Sequence, residues 1–511
     1  MVSTPPLAPL PASVEVAGGP AFTLTTGTRF SGDADAAAAL RGILRALGAP
    51  AGVDAPGTGE VSLALDDGRA AESYLLEVDA NGIRLVGADA AGLFYGVQTL
   101  GQLVAHDPAA ATWTVPAVRI DDAPRFSYRG VMLDVARHFH PVETVEAYID
   151  RAASLKFNHL HLHLSDDQGW RLELASHPLL TERASASSVG GDPGGFFTRD
   201  DYRRIVSYAA ARHMTVVPEI DLPGHTHAVS LAYPQLAEEP VLSDHIRDIT
   251  RIYGGGLPVH GEPYQGMAVG FSSLRIDSDE TYAFVGDVLA ELAEITPGPY
   301  LHVGGDEALG TPADDFARFM SRVTEMVARL GKTPVTWHEA GAAPALAPGT
   351  IGQYWGFVTP TDGMDEKTRR FVAGGGQVIL SPADAVYLDM KPTDDFPIGL
   401  TWARGSTSVQ RAYEWEPAEV VAGVGETEIL GVEAPLWTET VRDLADIDAL
   451  AFPRIAAAAE AAWSPRTGAH PDRTWESFRT RVGGLIPLWT AQGVGMQGLD
   501  GQGVADQGGP R

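Results

Sequence analysis

The chain has 511 residues, 44% of them hydrophobic and 20% charged. That composition suits an ordinary soluble globular protein of two or more folded units, one of which could be a barrel of about 250 residues. Acidic side chains number 66 against 37 basic ones, a net charge of −29, so the surface repels nucleic acid and anionic membranes, and any substrate is neutral or cationic. Cysteine is absent, which excludes disulfides, thiolate nucleophiles and cysteine metal sites.

The first residues carry no base before Arg29 and no continuous apolar run, and no later stretch approaches the roughly 18 apolar residues of a membrane span. This predicts a cytoplasmic protein, or a secreted one from which a leader has been trimmed. Strand-like runs at 61–65, 74–78 and 82–87 alternate with helical spacing at 36–47 and 90–105, a small α/β unit. The turn-rich Asp121-Asp122-Ala123-Pro124 marks its expected end, giving a first domain of residues 1–122.

From there the rhythm becomes strand, then helix. Candidate strands fall at 130–135, 159–164, 215–220, 300–303, 334–337, 350–354, 377–381 and 429–434, with helices at 142–155, 199–212, 280–294, 314–330 and 366–373. Eight strands in alternation with helices predict an α/β protein whose second domain, 123–490, is a (β/α)8 TIM barrel. A last helix is expected at 447–462, ended by Ser464-Pro465, and the glycine-rich 491–511 reads as a loose tail.

Polar and aromatic residues cluster at the C-terminal ends of these strands, the face where barrels build active sites. Arg137 follows strand one, Asp166 and Asp167 strand two, Glu219 and Asp221 strand three, and Asp306 and Glu307 strand four. Trp337, His338 and Glu339 follow strand five, Trp355 strand six, Tyr387 and Asp389 strand seven, and Trp437 and Glu439 strand eight. Carboxyl groups that move protons, beside tryptophan faces that pack on sugar rings, are what carbohydrate hydrolysis needs.

Four longer segments carry a resemblance: 130–139 (Gly-Val-Met-Leu-Asp-Val-Ala-Arg-His-Phe), 161–170 (His-Leu-His-Leu-Ser-Asp-Asp-Gln-Gly-Trp), 218–225 (Pro-Glu-Ile-Asp-Leu-Pro-Gly-His) and 302–307 (His-Val-Gly-Gly-Asp-Glu). In this order they resemble glycoside hydrolase family 20, the β-N-acetylhexosaminidases of bacterial type, over about residues 125–465. The preceding α/β unit fits the same family. The resemblance implies a retaining exo-enzyme acting on N-acetylhexosamine-terminated glycans or chitooligosaccharides, with no cofactor and no metal.

It also implies substrate assistance: the acetamide oxygen of the substrate attacks the anomeric carbon and forms an oxazolinium intermediate. Glu307 is then the general acid and base, Asp306 accepts the acetamide N–H, and Tyr387 donates to the acetamide oxygen. Neighbouring residues of an extended chain point to different sides, which suits Asp306 and Glu307 to separate tasks. By the same resemblance Trp337, Trp355 and Trp437 wall the sugar, and Arg137 donates to its 3- and 4-hydroxyls. Asp389 and Glu439 accept from the 6- and 4-hydroxyls, Trp402 is a leaving-group platform, and Asp166 with His225 supports Glu307.

Three other readings stay open at this level. His159, His161 and His163 share one strand face and could ligate a metal. A protein carboxylate could serve as nucleophile. A barrel that binds sugar without cleaving it is the third. The segment 237–270 reads as a loop longer than the family's usual one, placed to narrow the pocket mouth or to make an oligomer contact.

Overall fold

In the computed structural model, residues 4–55, 57–496 and 498–499 are described. Most of the predicted 491–511 tail therefore lies outside the described residues. The chain first forms a seven-stranded mixed sheet that includes Val61–Leu65, Tyr74–Asp79 and Gly82–Gly87. Helices Ala34–Ala46 and Ala90–Leu103 pack on it, and Asp33 and Asp89 cap their first turns through side-chain oxygens.

The sheet's last strand ends at Asp122, and the barrel begins at Tyr128. Eight parallel strands then close on themselves: Tyr128–Asp134, His159–His163, Thr215–Glu219, Tyr300–His302, Thr333–Trp337, Ile351–Tyr354, Val378–Leu380 and Ile429–Leu436. Each overlaps its predicted position. Alternation sorts the second strand: Leu160 and Leu162 join the outer core under the helices, while His161 and His163 bond to the inward Glu219.

A buried charge cluster ties sheet to barrel. The Lys156 ammonium donates to Asp122 Oδ2 at 3.0 Å and to the Tyr74 hydroxyl at 2.9 Å, and it lies 4.5 Å from the Trp463 ring centroid. Trp463 Nε1–H also donates to the Asp122 carboxylate. Burial pulls the Lys156 pKa down, and Asp122 opposes that shift. Lys156→Ala leaves this carboxylate without its cation in a dry site, so the variant is expected to lose about 3–5 kcal/mol in urea unfolding. An unfolding free energy unchanged from wild type would show the cluster to be dispensable.

Two readings of the sequence are corrected. The helix expected at 447–462 is two helices, Leu444–Ala451 and Arg454–Trp463, because Pro453 has no N–H to continue the first. Beyond Ser464-Pro465 a further helix, Trp475–Ala491, buries Phe478, Val482, Leu485 and Trp489 at helical spacing, and its Arg481 clasps Glu460 at 2.7 and 2.8 Å. The 237–270 segment is not a plain loop either. Ser243 caps a ten-residue helix, Asp244–Tyr253, which Gly254 ends at φ 82°. Among the described residues no helix is long and apolar enough to cross a membrane.

Candidate active site

The fourth strand stops at His302, and the next residues turn sharply. Gly304 and Gly305 have φ of 62° and 107°, and Glu307 itself has φ 43°. A Cβ on Gly304 would lie 1.7 Å from Asp221 Oδ1, so only glycine lets the chain pass this carboxyl. Gly305 N–H donates to the same oxygen at 3.0 Å. Asp306 and Glu307 thus sit on a left-handed turn, not on the extended chain expected of them, and both carboxylates approach His225 Nε2. A glutamate held at positive φ costs of order 1–3 kcal/mol, which the surrounding packing must offset.

Asp306 and Glu307 line a cavity of about 290 Å³ at the C-terminal mouth of the barrel. Arg137, Trp355, Tyr387, Trp402, Trp437 and Glu439 line it too. Four of the predicted site residues stand elsewhere. Asp166 and His225 are buried and do not line the cavity. Trp337, predicted to be a wall, is fully buried and does not line the cavity: its Nε1–H donates to Glu219 Oε1 at 2.9 Å, which holds the indole inside the barrel. Its ring packs against Trp437, 6.1 Å between centroids. Asp389, expected to meet a hydroxyl, is 1% exposed and likewise does not line the cavity, although it faces Glu439 electrostatically.

His225 sits between the two carboxylates. Its Nε2 is 3.6 Å from Asp306 Oδ2 and 3.7 Å from Glu307 Oε2, and its Nδ1 lies 3.2 Å from Asp166 Oδ1. Asp166 and Asp306 outweigh burial and raise the imidazole pKa well above its ordinary value. Glu307 turns part of its side chain to the cavity but is enclosed by protein. Burial pushes its carboxyl up to about 7, Asp306 adds to the rise, and His225 opposes it.

A row of alternating charges connects this pair to the barrel interior. His161 contacts Glu433 at 2.9 Å and Glu219 at 3.1 Å, while His163 bridges Glu219 to Asp166 Oδ2, the latter at 2.7 Å. Arg137 Nη2 then pairs with Asp166 Oδ2 at 2.8 Å, with Asp134 farther at 3.7 Å. Against their burial, the neighbouring carboxylates raise His161 to about 9 and His163 to about 10. Ligand atoms of His161, Glu219 and His302 converge closely enough to hold an ion. Yet Glu219 already bonds the imidazoles of His161 and His163 and accepts from Trp337, and His302 Nδ1, 2.9 Å away, accepts from the Gly304 N–H. His159, the third histidine of that strand face, instead stacks on Tyr128 and meets Asn158 Oδ1 at 2.6 Å. The residues present therefore serve as one another's partners.

Glu439 Oε2 and Asp389 Oδ2 are buried without a hydrogen-bond partner. Burial raises both carboxyls, most strongly Asp389, where Glu439 adds to the effect. The Arg137 guanidinium lies over Trp437, 4.7 Å from the ring centroid. Trp402 is 47% exposed and stands edge-on to Trp355 and Tyr387. Burial, then Asp389 and Asp306, hold the Tyr387 phenol well above its ordinary pKa, so it remains a donor.

Two carboxyls drew no role from the sequence although both stood in view. Asp221, two residues after Glu219, is held well above the usual carboxylate range by burial and then by the charge of Asp306, an oxygen of which lies within 4.8 Å of one of its own. Glu339 accepts from Trp355 Nε1–H at 3.0 Å and rises to about 8, through burial and then Asp306. The period-two spacing from Glu219 to Asp221, and the acid two residues after Trp337, were the available signals.

Comparison with known proteins places this geometry in a family. Residues 126–312 and 309–466 match glycosyl hydrolase family 20, catalytic domain, and residues 4–123 match its domain 2. A β-N-acetylhexosaminidase from Cellulomonas fimi is 39% identical over 95% of this chain and 94% of its own length. Among solved structures, a glycoside hydrolase family 20 β-N-acetylglucosaminidase is 60% identical at a TM-score of 0.90, covering 97% of this chain and 98% of its own. A mutant Streptomyces plicatus β-hexosaminidase in complex with the product GlcNAc is 43% identical at a TM-score of 0.87, covering 97% of both chains. The chain belongs to glycoside hydrolase family 20, the β-hexosaminidases, and is a glycoside hydrolase.

Proposed function

We propose that this enzyme is a retaining exo-β-N-acetylhexosaminidase that releases terminal GlcNAc or GalNAc with the substrate's own acetamide as nucleophile. One observation carries the reading. A carboxyl raised to about 7, Glu307, shares a small cavity with a second carboxylate and a neutral phenol, Asp306 and Tyr387, that suit an acetamide and not a proton transfer. The cavity is at the lower end of ligand pockets, which fits one terminal sugar better than a long chain.

In the first step the acetamide oxygen bonds to the anomeric carbon while the glycosidic C–O bond breaks. Glu307 gives its proton to the departing oxygen. Tyr387 donates to the acetamide oxygen and aligns it for attack, and Asp306 accepts the acetamide N–H as positive charge develops. In the second step Glu307, now a carboxylate, takes a proton from water as that water attacks the anomeric carbon. The oxazolinium ring opens, and two inversions leave the β anomer. Arg137 and the unpartnered Glu439 carboxyl, both on the cavity, supply the hydroxyl contacts. Trp355 and Trp437 wall the ring, and Trp337 backs Trp437 from inside the barrel.

Kinetics on matched aryl β-N-acetylglucosaminide, β-N-acetylgalactosaminide and β-glucoside test the reading. Turnover of one or both acetamido sugars is expected, with almost none of the glucoside, together with tight inhibition by a thiazoline mimic of the intermediate. Comparable rates on glucoside and acetamido sugar would require a protein nucleophile and overturn it.

A further inference from the structure

The segment between the third barrel strand and helix Asp279–Ile295 does more than connect them. Helix Asp244–Tyr253 presents His245, Ile249 and Tyr253, four residues apart and so on one face, to the same cavity that holds Glu307. Met267 and Val269 of the returning limb line it as well. The charged residues of the helix lie off this stripe; Arg251, for example, pairs with Asp248 on the exposed side at 2.8 Å.

The limb is built, not draped. Ile246 packs with Tyr264, Ala268 and Phe271 in a small core of its own. Gln168 Nε2 donates to Gly266 O at 2.9 Å, and Gly190 N–H to Gln265 O at 2.8 Å. The limb also abuts the acid itself: a Cβ on Gly270 would stand 3.0 Å from Glu307 O and 2.9 Å from the Leu309 side chain. Tyr253 nonetheless remains 52% exposed. An aromatic ring left open at the rim of a reaction pocket awaits a partner.

We infer that the 244–269 insert is the wall of the leaving-group site, on which Tyr253 and Ile249 pack against the neutral pyranose ring next to the bond being cleaved. The placement follows from the reading of Glu307 as the acid, because that group must reach the leaving oxygen and the insert rests on its backbone. Trp402, half-exposed, lines the same cavity from the loop after strand seven. The occupant is uncharged: the stripe facing the cavity holds no Lys, Arg, Asp or Glu, and a protein of net charge −29 repels anionic aglycones. The insert therefore sets selectivity for sugar leaving groups without taking part in the chemistry at the anomeric carbon.

The test compares N,N′-diacetylchitobiose with β-N-acetylglucosaminyl fluoride, whose leaving group is a single atom that reaches neither Tyr253 nor Ile249. For Tyr253→Ala and Ile249→Ser, kcat/KM on chitobiose is expected to fall about tenfold each, and turnover of the fluoride to stay within twofold. Unchanged fluoride turnover also reports that each variant is folded. Ile252→Ser, on the same helix but off the cavity, should alter neither substrate. Equal losses on both substrates, or no loss on chitobiose, overturn the inference. So does a change of sedimenting mass between wild type and either variant with both activities intact, which would give this face to a second copy of the chain. A wild-type enzyme that cleaves neither substrate would instead refute the proposed function.

Discussion

Glu307→Gln is expected to lower kcat by about 10²–10⁴-fold on substrates whose leaving group is another sugar, and far less on a 2,4-dinitrophenyl glycoside. A sugar alkoxide cannot depart unprotonated, whereas the dinitrophenolate can. The isosteric amide removes the transferable proton and little else, so KM should change much less than kcat. The pH profile makes the same point with a definite sign. An acid must be protonated to act, so wild-type kcat/KM should fall as pH rises through about 7, where burial and Asp306 have placed the Glu307 carboxyl. In the variant that alkaline limb should vanish. Equal losses on both leaving groups, or a limb that persists at the same pH, would move the acid to another residue.

Asp306→Asn is expected to cost about 10²–10³-fold in kcat on every leaving group, because its charge is used against the oxazolinium and not against the departing oxygen. Indifference to the leaving group separates it from Glu307→Gln. A second signature follows from the turn that sets the two side by side. The Asp306 charge raises the Glu307 pKa, so neutralising it should move the alkaline limb of kcat/KM to lower pH. His225→Asn should move the limb the other way, since the imidazolium opposes that rise. Measured profiles that shift in the same direction for both variants would contradict the arrangement around His225. A loss for Asp306→Asn that tracks leaving-group basicity would contradict its assignment to the acetamide.

The barrel was legible because each of its strands is an apolar run bounded by turns, and that pattern survives in one dimension. Every predicted strand overlaps an observed one, from Tyr128–Asp134 to Ile429–Leu436. Residues after the strand ends converge for the same topological reason, and Arg137, Trp355, Tyr387, Trp437 and Glu439 share one cavity with Asp306 and Glu307. Helix ends were harder to read. Trp475–Ala491 was missed because a loop separates it from the barrel rhythm, although Thr474 and the spacing of Phe478, Val482, Leu485 and Trp489 mark it in retrospect.

What the sequence determined by itself was the fold and the family, since these rest on residue order and local pattern. Depth and direction were decided only in three dimensions. Trp337 reads like its neighbours Trp355 and Trp437, yet its bond to Glu219 draws it into the barrel interior and out of the cavity. The carboxyl pKa values of Asp221 and Glu339 rise only because folding buries them beside Asp306, a like charge distant or silent in sequence. The 237–270 segment looked like surface until its helix turned His245, Ile249 and Tyr253 onto the pocket. Protonation states and cavity walls depend on which groups exclude water from which others, and that is a property of packing across strands far apart in the chain.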